Sequence, residues 1–237
     1  MSFTYPETQI EALSNLDLRI HKGETVAFIG HTGSGKSSIV QLLMKAYMPT
    51  SGSITVNNIE VANLETNAYR SLMGIVPQDV FLFSDSIENN IRFGNANATS
   101  EEITHAAEIA DLHENILGFE EKYQTLLGER GINLSGGQKQ RLSIARAIIS
   151  NPEILLLDDC LSAVDTQTDE KIMRGLKQIR QGKTNIIISH RISSVHHADK
   201  IFVLQQGQLA ETGTHEELIA KKGLYFELSE LQKINEN

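Results

Sequence analysis

The stretch GHTGSGKSS, residues 30 to 38, limits what this chain can fold into more than any other. It follows a continuously apolar run, Val26 to Ile29, of the kind found in strands buried on both faces. It precedes Ile39, Leu42, Leu43 and Tyr47 at helical spacing. Strand, loop and helix therefore surround a G-x-x-x-x-G-K-S pattern running from Gly30 to Ser37. Gly30, Gly33 and Gly35 let the backbone curl until its amide N–H groups converge on an anion, and the following helix adds its positive end. Gly30, His31, Thr32, Gly33, Ser34, Gly35, Lys36, Ser37 and Ser38 are the expected phosphate contacts. Lys36 is expected to reach the β- and γ-phosphates, and Ser37 to offer its hydroxyl to Mg²⁺.

A second stretch, LLLDDCLSAVD, ends an apolar run with two adjacent carboxylates. Asp158 closes a predicted parallel strand. Ligands in open α/β sheets bind beyond the carboxyl ends of strands, so Asp158 is expected to share a crevice with Ser37 and hold Mg²⁺ through its water shell. Asp159 stands where a general base is needed. Cys160, the single cysteine, excludes an intramolecular disulfide and reads as a small core residue.

The rest of the chain supplies the frame. Its 237 residues suffice for one substantial core divided into lobes. A net charge of −9 argues against a broad nucleic-acid surface, and no apolar run approaches ~18 residues, so no segment is expected to span a membrane. SNLDLRI alternates Leu16, Leu18 and Ile20 as a strand would, SGSITVNNIEV predicts a hairpin at Asn57-Asn58, and KIFVLQQGQLAETG predicts one near Gly207. Thr99 and Glu102 have capping-box spacing before a helix with Ile103, Ala107 and Ala110 on one face. The last helix is expected to dock through Leu224, Phe226, Leu228 and Leu231. His196 and His197 are expected to point apart. The boundaries predict one domain over 1–237, with residues 1–78 and 151–237 as core and antiparallel β lobe, and 79–150 as an inserted helical lobe.

LSGGQKQR, residues 134 to 141, places a second glycine-rich anion-directed loop before a helix carrying Leu142, Ala145, Ile148 and Ile149. Two such helix starts in one chain make sense if the second serves a neighbour's nucleotide. The ordered set Tyr5, GHTGSGKSS, VPQD, LSGGQ, ILLLDD, SAVD and IISHR resembles the nucleotide-binding domain of an ATP-binding cassette (ABC) transporter over essentially the full chain. The resemblance implies an α/β fold: a P-loop NTPase core with a mixed sheet and helices, an N-terminal antiparallel β-subdomain and an inserted α-helical subdomain bearing the signature. It implies ATP and Mg²⁺ as cofactors. Tyr5 then resembles the aromatic that stacks on adenine, and Gln78 the hinge glutamine contacting Mg²⁺ or the attacking water. Ser135, Gly136, Gly137 and Gln138 resemble the signature that closes on a partner's γ-phosphate, Asp165 the residue that communicates across the dimer, and His190 the switch histidine at the γ-phosphate.

LGERGINLSGGQ, DVFLFSDSIENNIRFG and GTHEELI look like the exporter branch, in which GER lies near the membrane domain. The implied partners are a fused transmembrane domain outside this chain and a second nucleotide-binding domain; no nucleic acid is expected. The implied location is the cytoplasmic side of a membrane, the isolated chain being soluble. An importer ATPase subunit and a soluble cassette ATPase are the competing readings. In hydrolytic members the residue after the metal-binding Asp is Glu, and here it is Asp159. The shorter arm retracts the carboxylate roughly 1.5 Å, enough to weaken a base that must come within about 3 Å of its proton. Asp159 beside an intact signature resembles the degenerate half of a heterodimeric exporter, whose partner carries the Glu.

Overall fold

Phe3–Thr4 (β1) and Glu11–Leu13 (β2) open the chain as an antiparallel pair, with Phe3 opposite Leu13 and both side chains buried. This computed structural model describes residues 1–128 and 134–235. The chain then forms β3 (Thr25–Ile29), α1 (Lys36–Leu43), the short pair β4 (Thr55–Val56) and β5 (Ile59–Glu60), and α2 (Thr66–Arg70). Next come β6 (Met73–Val76), α3 (Ile87–Arg92), α4 (Ser100–Ile109), α5 (His113–Leu117), α6 (Gly136–Ile148), β7 (Ile154–Asp158) and α7 (Thr166–Ile179). It closes with β8 (Thr184–Ile188), α8 (Ile192–Val195), β9 (Lys200–Gln205), β10 (Gln208–Gly213), α9 (His215–Lys221) and α10 (Leu224–Asn235). Two compact units result, one of residues 1–73 with 184–237, the other of residues 74–183.

In the first unit β8, β3 and β9 lie side by side in parallel, and β10 joins β9 antiparallel. Val26, Ala27, Phe28 and Ile29 are at most 1% exposed, which explains their uninterrupted apolarity: β3 is the middle strand of these three and is covered on both faces. Phe28 stacks on Phe202 of β9 with centroids 5.1 Å apart. Both expected hairpins form. Asn57 and Asn58 (φ 51° and 63°) turn β4 into β5, and Gln206 and Gly207 (φ 49° and 76°) turn β9 into β10. In the second unit β6 and β7 are neighbours, and helices α3, α4 and α6 pack together. Thr99 caps α4 with Glu102 answering it, and Ile103, Ala107 and Ala110 are buried as expected. The mixed sheet with covering helices is the α/β architecture expected from the sequence.

Four local expectations are corrected. Residues 14–20 make no strand: Leu16 is buried and Asp17 and Arg19 are exposed, so the alternation reports one-sided burial, while Asn15 (φ 50°) turns the chain out of β2. Helix α1 stops at Leu43, short of Tyr47, because Lys45 takes a left-handed conformation (φ 53°). The docking stripe of α10 is Tyr225, Leu228 and Ser229 with half-buried Gln232, whereas Leu231 is 52% exposed. His196 and His197 do not point apart. They leave the end of α8 in a turn, and their ring centroids lie 3.6 Å from each other.

Candidate functional site

In the first unit β3 runs straight into the glycine loop, and the loop into α1. Gly35 is the N-cap of α1 at φ 102°, where a Cβ would meet the Ala12 carbonyl oxygen at 2.7 Å. A Cβ on Gly30 would stand 2.3 Å from the Leu204 carbonyl oxygen. The loop is thus threaded between backbone segments that admit only glycine at these points. Ser34 is buried, its N–H donating to the His31 carbonyl (3.1 Å) and its own carbonyl accepting from Gly207 (3.1 Å). Lys36 folds back over the loop, and its Nζ donates to the carbonyls of Gly30 (2.7 Å) and His31 (2.9 Å). Among the described residues no side chain caps α1 and no acidic residue lies in its first turn. A positive helix end beside a tethered ammonium is a setting for an anion.

Tyr5 belongs to the same neighbourhood. Its hydroxyl lies 3.1 Å from Ser38 Oγ on α1, and its ring meets Phe3 and Tyr47 edge-on with centroids 4.7 and 5.4 Å away. His190 follows β8, whose neighbour is β3; the N–H of Ser189 donates to the Phe28 carbonyl at 3.2 Å. His190 therefore leaves its strand at the same end at which β3 enters the glycine loop. The first unit thus holds the glycine loop, Tyr5 and His190, with the loop and His190 leaving neighbouring strands at the same end.

The second unit holds the remaining candidates. Gln78 is exposed two residues beyond β6. Asp158 is the last residue of β7, and Asp159 follows it in the left-handed region at φ 46°. Both are half-buried. Ser135 and Gln138 form a reciprocal capping box at the start of α6, with Ser135 Oγ accepting from the Gln138 N–H (3.2 Å) and Gln138 Oε1 from the Ser135 N–H (2.9 Å). Asp165 caps α7 through the Thr168 N–H (3.0 Å), a bond that holds its exposed carboxyl below the usual carboxylate range. Glu129 and Arg130, the charged pair of the GER element, lie outside the described residues.

Residues that motif reading passed over hold this unit's pieces in place. Gln140, 6% exposed, accepts from the Ala163 N–H (3.0 Å) and donates to Ser162 Oγ (3.1 Å). It thereby ties the signature helix to the loop between the paired carboxylates and Asp165. A Cβ on Gly137 would come within 2.9 Å of the Ala163 carbonyl oxygen, so that glycine permits the same close approach. Arg146 reaches the carbonyls of Asn90 (2.9 Å) and Phe81 (2.8 Å) and the Asn90 side chain (2.7 Å), and its guanidinium lies over Phe83 and Phe93. The signal for both was a polar residue on the buried face of α6, visible only once that face is known.

Of the expected magnesium donors, Ser37 lies in the first unit and Gln78 and Asp158 in the second. A hydroxyl, an amide oxygen and a carboxylate are each hard oxygen donors of the kind that Mg²⁺ takes alongside water and phosphate. Burial pushes the Cys160 thiol well above its ordinary value, consistent with a packing role.

A family model described as ABC transporter matches residues 13–162. A protein of Staphylococcus aureus (strain NCTC 8325), named as a multidrug export ATP-binding/permease protein, is 44% identical over 234 residues, 99% of this chain and 40% of the relative. Its counterpart in the bovine strain RF122 is 43% identical over the same span. Among solved structures, a bacterial Atm1-family ABC exporter with ATP bound matches with a TM-score of 0.94 at 40% identity, covering 98% of this chain and 41% of that one. The chain thus spans 40% of the length of the curated relatives it matches.

Proposed function

We propose, from the premise that this chain belongs to the ABC transporter family, that it is the ATP-binding motor domain of an exporter and that its own site hydrolyses ATP slowly. The observation that carries the reading is the loop from Gly30 to Ser38: a buried strand delivers it to an uncapped helix start, with Lys36 bound across its mouth. The exporter names of relatives aligned over 99% of the chain support the direction of transport.

In this reading Tyr5 stacks on the adenine, the loop amides and Lys36 take the phosphates, and His190 contacts the γ-phosphate. Ser37, Gln78 and Asp158 supply oxygen donors to Mg²⁺, which when bound neutralises charge on the β- and γ-phosphate oxygens. Asp159 is the base, held back by its short arm. Ser135, Gly136, Gly137 and Gln138 face the nucleotide of a second nucleotide-binding domain, a different chain that carries Glu at the base position. A transmembrane domain continuous with this chain anchors it at the cytoplasmic face; among the described residues no helix is long and apolar enough to cross a membrane.

Calorimetric titration with Mg²⁺-ATP tests the nucleotide assignment. The unmodified chain is expected to bind, and Lys36→Ala to bind at least about tenfold more weakly, as befits the loss of a charge-assisted phosphate contact. Equal affinity of the two chains would remove Lys36, and with it the loop, from the site.

A further inference from the structure

We infer that Gln232, on the C-terminal helix α10, is a positioning residue for His190; the inference rests on the assignment of His190 to the γ-phosphate proposed above. Gln232 Oε1 accepts from the N–H of Ile192 at 2.8 Å, and its Nε2 donates to the carbonyl of His190 at 2.5 Å. One planar amide thus holds the two backbone groups on either side of Arg191.

The corner needs such a partner. Ile192 begins α8, and the first N–H groups of a helix have no partner within it. The N-cap position belongs to Arg191, which has no oxygen on its side chain and makes no capping bond. Gln232, forty residues further along the chain, accepts from the N–H of Ile192, the first of these donors. The other flank of the corner is already fixed, because Ser189 donates its N–H to Phe28 of β3 and its Oγ accepts from the N–H of Arg191 at 3.0 Å. His190 therefore sits between a flank tied to the strand that feeds the phosphate loop and a flank tied to α10.

Helix α10 is itself well seated. Glu211 of β10 accepts from the N–H groups of Leu224 and Tyr225 (both 3.1 Å), and Tyr225 is 0% exposed. The C-terminal helix thereby sets the backbone from which His190 projects. Lifting α10 releases that backbone, so the docked helix is a requirement for efficient γ-phosphate chemistry.

The test compares four variants: Gln232→Leu, which removes both bonds at similar volume; Gln232→Glu, which keeps the acceptor for Ile192 and loses the donor to His190; His190→Ala; and His190→Ala with Gln232→Leu. Single-turnover hydrolysis, Mg²⁺-ATP affinity and amide exchange at Ile192 are read on each. Gln232→Leu is expected to speed exchange at Ile192 and slow turnover about tenfold, while ATP affinity stays within about twofold. Gln232→Glu should keep Ile192 protected and turn over at a rate between those of Gln232→Leu and the unmodified chain, and it carries the test if the leucine variant does not fold. The double variant should be no slower than His190→Ala alone. Wild-type turnover in Gln232→Leu, or a further tenfold loss on the His190→Ala background, overturns the inference alone. Wild-type turnover in His190→Ala overturns the assignment of His190 and the inference together.

Discussion

Asp159 occupies the left-handed region of backbone space (φ 46°), where aspartate is among the few non-glycine residues found with any frequency. Two consequences of Asp159→Glu can therefore be separated. The added methylene carries the carboxylate outward and is expected to raise the single-turnover rate on the order of tenfold to a hundredfold. The longer side chain is less at ease in this conformation, and stability in urea should fall by up to about 1 kcal/mol. An unchanged rate in a folded variant would show that arm length does not limit this base. The shape of the glycine loop was readable from sequence because its determinants are local: Gly35 sits at the N-cap position of the helix that begins at Lys36, and Lys36 bonds to carbonyls five and six residues earlier. Gln140 and Gln232 were not readable, because their partners lie 22 to 42 residues away and nothing in the intervening chain marks them. The histidine pair at 196 and 197 misled for a related reason: alternation rules hold inside regular elements, and this pair sits where α8 ends.

Periodicity located elements wherever one face alone was buried, and it failed where burial and hydrogen bonding parted company. Leu16 is buried without belonging to a ladder, and α10 docks through Tyr225 rather than Leu231 because its stripe follows Tyr225, Leu228, Ser229 and Gln232. Elements α8, α9 and α10 meet through histidines whose grouping no period encodes. His215 at the start of α9 shares a hydrogen bond with the Tyr225 hydroxyl of α10 (2.8 Å between Nδ1 and Oη), and its ring lies 5.8 Å from that of His196. Burial, then the neighbouring His196 and more weakly Lys233, hold the His215 pKa below the ordinary histidine value of 6.5, against the opposing pull of Glu216. The unfolded chain thus takes up this proton first as pH falls. Stability from neutral His215 is complete above about pH 6.5 and declines below it toward the lower folded value. The melting temperature measured at pH 7.5 and 5.5 should drop more for the unmodified chain than for His215→Gln, which cannot titrate. Equal drops would assign the acid sensitivity to another group.

Two helix starts in this chain are proposed to face anions, and they differ in kind. The start of α1 has a lysine bound across its loop and no side-chain cap, whereas that of α6 is closed by its own Ser135–Gln138 box, with no acidic residue in its first turn. A chain that uses the first for its own nucleotide and offers the second to a neighbour contributes to two sites at once, and the two contributions separate by mutation. If the chain works in a transporter beside a second nucleotide-binding domain, as proposed, and Asp159 makes its own site slow, most steady-state turnover should arise where its signature faces the partner's nucleotide. Asp159→Asn is then expected to leave steady-state ATPase activity within about twofold, while Ser135→Arg, which adds bulk where the partner's γ-phosphate is proposed to lie, lowers it at least about tenfold. Ser135→Ala controls for loss of the cap, which costs roughly 1 kcal/mol of helix stability without adding bulk. The comparison is decisive because a symmetrical transporter with two working sites cannot give this pattern: there, removing the Asp159 carboxylate would impair hydrolysis as severely as blocking the signature. If Asp159→Asn abolishes activity, Asp159 is an effective base despite its short arm, and the asymmetric assignment fails.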